Sequence, residues 1–200
     1  MSSNVFYVPI VVKNKPMENS NFLSLIKTRQ SVRKYIDRPV EPEKLHRCLE
    51  AARLAPSASN GQPWRFVVVN DPELVKKVAG ETAGPLASFN NFVPQAPVII
   101  VIVVEKMKTI TQLGAYLKER EFPLLDIGIA AEHFCLQAAE EGLGSCMVGW
   151  FNEKPIKQLL NIPKKKRIGL LITIGYAPEG YLLREKRRKS FEEVVGFNTY

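Results

Sequence analysis

The residues best placed to do chemistry fall into three separated groups of cations and small polar side chains. In RQSVRKY (29–35), Arg29, Ser31 and Arg33 stand at alternate positions of a stretch that reads as extended. A period of two lets such side chains point one way. KRR (186–188) offers further cations late in the chain. Arginine meets phosphate through paired, charge-assisted hydrogen bonds and serine adds a neutral donor, so these two groups suit a phosphate-like anion. The third group lies in APSASNGQPWRFVVV (55–69), where Ser57, Asn60 and Gln62 supply polar groups suited to a ring or a polyol. A plain turn calls for Gly, Asn or Pro, but not for Gln and Trp beside them.

Catalysis by side chains alone finds little support. No G-x-S-x-G elbow is present, and no pair of carboxylates stands in a polar setting. His133 sits within an apolar run and His46 on an ordinary amphipathic one. GLGSCMVG (142–149) is not a dinucleotide fingerprint: Met147 stands where the third glycine belongs, and a helix precedes these glycines where a strand is required. Gly142 and Gly144 read as a helix stop and turn, and a Walker loop is absent. Cys48, Cys135 and Cys146 are odd in number, widely spaced and without a CxxC pair, which suits reduced buried thiols and no metal site. If the protein is an enzyme, a cofactor carries its chemistry.

Composition sets the frame for these groups. The 200 residues are 46% hydrophobic and 24% charged, a globular mix sufficient for one domain with a real core. The best apolar run, PVIIVIVV (97–104), is too short to span a bilayer. MSSNVFYVPIVVKNK lacks the charged start and cleavage site of a secretory signal, so a cytoplasmic location is expected. The net charge of +8 concentrates in KKKR (164–167) and REKRRK (184–189). No RNA-stacking or zinc-finger signature accompanies either cluster, so a nucleic-acid module would rest on charge alone.

The elements that must position the three groups are legible from periodicity. Ser20 or Asn21 caps a helix in which Phe22, Leu25 and Ile26 share a face, ending near Arg29. Pro42 opens a second helix with Leu45, Cys48, Leu49 and Ala52 inside and Val40 stapled to Leu45, and Pro56 marks its end. RFVVV (65–69) is a strand, and Asp71-Pro72 starts a short helix that Gly80 closes. PVIIVIVVE (97–105) is apolar on both faces, hence a central strand. The run 124–144 is apolar nearly all round and closes on Gly142; such a helix must be covered on every side, most simply by a second copy of the chain. SCMVGW (145–150), EKPIKQLL (153–160) and RIGLLITIGY (167–176) read as strand, short helix and buried strand. Helices alternating with strands argue for an α/β or α+β sheet domain.

RQSVRKY, AARLAPSASNGQPWRFVVV, DIGIAAEHFCLQAAEEGLGSCMVGWF and the late KRRKSFEEVV, in this order over about 22–196, resemble the FMN-dependent nitroreductase family. The resemblance implies one α+β domain over 1–200, with a mixed, mainly antiparallel central sheet flanked by helices. It further implies an intertwined homodimer, an N-terminal extension (1–19), and a C-terminal segment (177–200) packed on the partner. Tightly bound FMN would sit at the subunit boundary. By that resemblance Arg29, Gln30, Ser31 and Arg33 meet its phosphate, ribityl chain and pyrimidine edge, and Lys186 and Arg188 complete the phosphate site. Pro56, Ser57, Ala58 and Asn60 approach from the other subunit. Met147, Val148 and Gly149 face the ring near N5, and Asn91, or else its neighbour Asn90, reaches the pyrimidine. Gln30 stands where many members carry Arg or His, and Ala58 where a hydroxyl is common.

The implied activity is ping-pong transfer of electrons from NAD(P)H through flavin N5 to a small-molecule acceptor, a nitroaromatic or quinone. No metal, nucleic acid or membrane takes part. Loops 81–96 and 106–123 would shape the substrate pocket, with Phe89, Phe92 and Tyr116 either stacking on substrate or simply packing. Reductive dehalogenation, dehydrogenation of a bound ring and flavin fragmentation remain open alternatives within the same superfamily.

Overall fold

The structure, a computed structural model, describes residues 22–83, 90–106 and 121–200. The extension 1–19, the capping residues Ser20 and Asn21, Phe89 and Tyr116 lie outside the described residues. In chain order the elements are α1 (Phe22–Thr28), α2 (Pro42–Arg53), β1 (Trp64–Val69), α3 (Pro72–Gly80), β2 (Val98–Val104), α4 (Phe122–Glu140), β3 (Gly144–Val148), α5 (Glu153–Leu159), β4 (Arg167–Gly175) and α6 (Phe191–Val194). Short 3₁₀ turns occupy Ala58–Asn60 and Val93–Gln95.

The four strands form one sheet in the order β1-β2-β4-β3, with every neighbouring pair antiparallel. Among the described residues the single parallel contact is the bridge from Ser31 to Ser145, where the segment after α1 runs beside β3. The fold is therefore α+β, with the mainly antiparallel sheet expected. β2 is central because its side chains enter two cores in alternation. Ile99, Val101 and Val103 pack with α3 and Ile156 of α5 on one face, and Val98, Ile100 and Ile102 pack with α2 and α4 on the other. A strand apolar on both faces needs cover on both, and the three layers provide it.

Local signals place the helix ends. Pro42 opens α2, and Val40 packs in the same cluster as Leu45. The Asp71 carboxylate accepts the Leu74 N–H at 2.8 Å, capping α3. Gly142 closes α4 at φ 72°, a left-handed conformation that glycine adopts without steric cost. All three cysteines are buried and unbridged, and burial pushes the Cys48 and Cys135 thiols up to about 12. Among the described residues no helix is long and apolar enough to cross a membrane.

Two helices leave apolar side chains uncovered within one chain. Within one chain, α4 buries Ile127, Ala130, Ala131, Phe134, Cys135 and Ala138 but leaves Leu125 59% and Ile129 40% exposed. In α1 no residue is buried, and Phe22 and Leu23 are exposed. Phe191, Val194 and Phe197 near the C-terminus are exposed as well. These apolar side chains are more than one chain covers by itself.

A polar clasp joins α2 to the end of α4. Arg47 donates from Nε and Nη2 to the two Glu141 carboxylate oxygens at 2.6 and 2.7 Å, and Lys44 Nζ donates to the Glu141 carbonyl at 2.8 Å. Arg47, foremost, holds the Glu141 carboxyl down at about 2. A lowered folded-state pKa contributes stability that is full above the ordinary carboxylate value of ~4.3 and lost as pH falls toward the folded one. The melting temperature is accordingly expected to drop on acidification from pH ~5 to ~2. Arg47→Ala should flatten part of that drop in melts across this range, and an unchanged acid slope would deny the pair its role.

Candidate active site

The first group sits on a segment that leaves α1 and runs along β3. Val32 N–H donates to Ser145 O at 2.9 Å, and Val32 is 5% exposed. The approach is close because residue 144 is glycine: a Cβ there would lie 2.8 Å from three Val32 side-chain atoms. Burying Val32 turns the residues on either side of it outward. They do not all meet one neighbour, however. Arg29 Nε lies 3.3 Å from Glu132 of α4, whereas the Arg33 guanidinium lies 6.0 Å from the centre of the Phe92 ring.

Residues 181–186 return to lie along the same segment. Arg33 N–H donates to Tyr181 Oη at 3.1 Å, and Gln30 Nε2 donates to Leu182 O at 3.2 Å. Gln30 Oε1 accepts the Arg184 N–H at 3.1 Å, the Arg184 side chain donates to Ser31 O, and Lys186 Nζ donates to Arg29 O. The first part of the C-terminal segment is thus held by its own chain. Gln30 does this lacing with both ends of its amide. Arg184 is equally central and was not singled out from sequence, where it was one of a run of cations.

The consequence is electrostatic. Burial lowers the Lys186 pKa, and the positive charges of Arg29 and Arg188 lower it further. Arg29 Nε is buried and has no hydrogen-bond acceptor; its contact with Glu132 is one of charge without an aligned N–H. Lys186, bonded to the Arg29 carbonyl, thus feels the positive charge of Arg29 and Arg188 and the opposing charge of Glu132. An anion carrying two charges would relieve this repulsion and satisfy the orphaned N–H. A cleft of about 170 Å³ lies beside Arg29 and is lined also by Gln30, Gly144, Ser145 and Tyr181, but not by Lys186, Arg188 or Glu132.

The second group forms a tightly wound loop between α2 and β1. Ser59, Asn60 and Gln62 have φ of 51°, 50° and 47°. Three non-glycine residues in left-handed geometry within four positions store strain, and such strain persists only where the surroundings over-determine it. Here they do. The Ala58 N–H donates to both Asp126 oxygens at 3.1 and 3.2 Å, and the Gln62 N–H donates to Ser57 Oγ at 2.9 Å. Gln62 Nε2 turns back to Asn60 Oδ1 at 3.1 Å, so Gln62 braces the loop. Trp64, 8% exposed, anchors it to the core under α2 and α4. Pro56 and Asn60 are exposed and Ser57 is half-buried; the Ser57 oxygen accepts one bond and keeps its own proton to donate. Asp126 was missed from sequence, although a lone acid inside LLDIGIAA is a visible signal, because a buried carboxylate must have a partner.

Both groups are fastened to α4, the cation segment at Glu132 and the loop at Asp126. Six residues of helix separate these points by ~9 Å along the axis and about 120° around it. The third component is the end of β3. Met147 is half-buried, Val148 is 3% exposed, and a Cβ on Gly149 would meet no heavy atom within 4 Å. Asn90 is 7% exposed, and its Nδ2 donates to Thr82 O and Trp150 O at 3.0 Å each. Asn90 is therefore a structural brace, while its neighbour Asn91 is exposed. Phe92, 6% exposed, belongs to the core rather than to a pocket wall. The larger cavity, about 680 Å³ between α2, α3 and residues 94–98, includes none of these cations.

The Nitroreductase family profile matches residues 26–176. A protein of Archaeoglobus fulgidus, provisionally named an NADH dehydrogenase/NAD(P)H nitroreductase, is 33% identical over 158 residues, covering 77% of this chain and 84% of its own. An iodotyrosine deiodinase of Thermotoga neapolitana is 26% identical over 196 residues, covering 88% and 97%. Among solved structures, an FMN-dependent nitroreductase of Clostridium difficile superposes with a TM-score of 0.68 at 32% identity, covering 89% of this chain and 99% of its own. With the profile spanning most of the fold and the cation segment, strained loop and β3 end all inside or beside it, the chain belongs to the nitroreductase family.

Proposed function

We propose that this chain is a cytoplasmic, homodimeric FMN oxidoreductase that takes electrons from NAD(P)H and passes them, in a ping-pong cycle, to nitroaromatic, quinone or related acceptors. The observation that carries the reading is the buried Arg29 Nε without a hydrogen-bond acceptor, beside Lys186, which is bonded to the Arg29 carbonyl and whose pKa is lowered by burial and by the charges of Arg29 and Arg188. That set fits the phosphate of FMN, whose ring when bound supplies the two-electron chemistry at N5. Arg29, Lys186 and Arg188 hold the phosphate, with Gln30, Ser31 and Arg33 toward the ribityl chain and pyrimidine edge. The β3 end at Met147, Val148 and Gly149 offers backbone to the ring, and Asn91 offers an amide. A cleft of about 170 Å³ is smaller than the ~300–1,000 Å³ of typical small-molecule sites, so further walls are needed. The loop of Pro56, Ser57, Ala58 and Asn60 from a second copy supplies them, which also accounts for the exposed Leu125, Ile129, Phe191 and Phe197.

The cations have a second duty. They oppose the negative charge that reduction adds, so the protein contributes orientation and charge stabilisation, and no side chain is required as acid or base. Purified protein should be yellow, bleach on anaerobic addition of NADH or NADPH, and recolour with a nitroaromatic or quinone. A colourless protein that takes up no FMN would remove the reading. The 26% identity to a deiodinase favours one alternative, reductive dehalogenation, which halide release from a halophenol by the reduced protein would reveal.

A further inference from the structure

The cavity of about 680 Å³ between α2, α3 and residues 94–98 belongs to no part of the candidate active site. It lies at the end of the sheet where β1 finishes and β2 begins. Its size falls within the ~300–1,000 Å³ of typical small-molecule sites. The floor is apolar, with Tyr35, Leu45, Val75 and Val98 all buried. Tyr35 is held in that floor because its hydroxyl shares a hydrogen bond with Thr173 Oγ1 at 2.8 Å. Five prolines stand around the floor, Pro39, Pro42, Pro72, Pro94 and Pro97, and two of them open α2 and α3. Proline fixes its own φ and carries no backbone N–H, so these walls resist collapse and present no backbone donor of their own. A cavity held open in this way is pre-organised for a ligand.

We propose that this cavity binds a small aromatic ring bearing a protonated amine. The ring follows from the walls: the C–H groups of proline carry slight positive charge and suit the negative face of an aromatic system. The amine follows from the rim, where three ionisable groups line the cavity. Lys76 Nζ is paired with Glu73 Oε1 at 2.8 Å, and His46 interacts electrostatically with Glu50, one turn along α2. Asp37 differs from both, for no cation or donor among the described residues bonds to its carboxylate. Its neighbour Arg38 is turned to Glu41 at 3.0 Å and over the Tyr176 ring. The rim thus keeps one negative charge without a counter-charge, and a ligand ammonium supplies it. Gln95 marks the opposite requirement, a fixed amide: its Oε1 accepts the Tyr35 N–H at 3.4 Å, which leaves Nε2 facing the same space as a reporter of occupancy.

The test needs no turnover and does not rest on the flavin reading. The full chain as purified is titrated with 2-phenylethylamine and with phenylacetate, which share a ring and differ in charge, while the side-chain amide NMR signals of Gln95 and Asn70 are followed. The amine should shift both signals saturably and bind about threefold to tenfold tighter than the acid. A net charge of +8 attracts the acid and repels the amine at long range, so this preference has a local origin. Asp37→Asn should erase the preference and leave the melting temperature unchanged, because the residue is exposed. Val40→Phe puts a ring into the cavity from a half-buried wall and should weaken both probes. Should that variant fail to fold, the two probes and Asp37→Asn carry the comparison alone. Equal affinity, a preference for the acid, or an amine preference that survives Asp37→Asn overturns the proposal. Signals that do not move at high probe concentration overturn it as well, whatever else then fills the cavity.

Discussion

Replacing Arg29 and Arg188 together by alanine is expected to weaken FMN binding by roughly a hundredfold to ten-thousandfold, so that the protein emerges from gel filtration colourless. The magnitude follows from charge-assisted hydrogen bonds, worth about 1.5–3 kcal/mol each when a charged partner is lost. It should stay at that scale because the charges of both cations act on Lys186, which alone cannot neutralise a dianion. Removing them should also raise the Lys186 pKa, since their charges help to hold it down. A control separates local contact from the general field of a chain with net charge +8. Lys164→Ala with Lys165→Ala removes the same two charges from an exposed turn, and screening over a Debye length of ~8 Å should leave flavin affinity nearly unchanged. Titration of apo protein with FMN measures both. Full retention in the arginine variant, or equal loss in both, would sink the assignment of the phosphate site.

The parts of the fold that were legible in the sequence are those governed by local physics. PVIIVIVV could be recognised as central because a strand with no polar face has no exposed position to occupy, and β2 enters both cores. Pro42, Asp71 and Gly142 announced helix ends through missing donors, a capping carboxylate and a left-handed φ. Topology was less accessible. Alternating helices and strands fit parallel and antiparallel sheets alike, and β2 pairs with β4 by skipping β3, a long-range choice that no window records. For α4, composition reports the cover a helix needs but not where it comes from, and Leu125 and Ile129 are left exposed within one chain.

The candidate site was legible as a set of residues but not as a division of labour. Arg29 and Arg33 share a period of two, yet one turns to Glu132 and the other to Phe92, because the segment pairs with β3 only around Ser31 and Val32. Phe92 as stacking ring and Phe92 as core residue have the same side chain, and only its 6% exposure separates them. Gln62 reads in the sequence as one of three polar groups suited to a ring or polyol; its left-handed φ and its bond to Asn60 make it a brace of the loop. Gln30 and Arg184 lace two segments that lie about 150 residues apart, a pairing without any local signature.

Gly144→Ala tests whether the cation segment is positioned by packing rather than by its own charges. A Cβ at 144 would lie 2.8 Å from Val32 Cβ, Cγ1 and Cγ2 together, so no rotation of valine can relieve the overlap. The segment itself must move away from β3, stretching the Val32 N–H to Ser145 O bond of 2.9 Å. Overpacking of this kind costs about 1–3 kcal/mol, or a melting temperature lower by ~2–12 °C in a chain of this size. Arg29 is three residues from the overlap, and Arg184 and Lys186 are bonded to the same stretch, so the cations should shift with it. FMN affinity is therefore expected to fall at least tenfold although no charged residue is touched. Val32→Ala in the Gly144→Ala background removes both Cγ atoms and should recover part of each loss. The coupling between the two positions should reach ~0.5–3 kcal/mol in a double-mutant cycle. If Gly144→Ala lowers the melting temperature while FMN binds as tightly as before, the close approach of Val32 to β3 serves stability alone, and the cations find their places by other means.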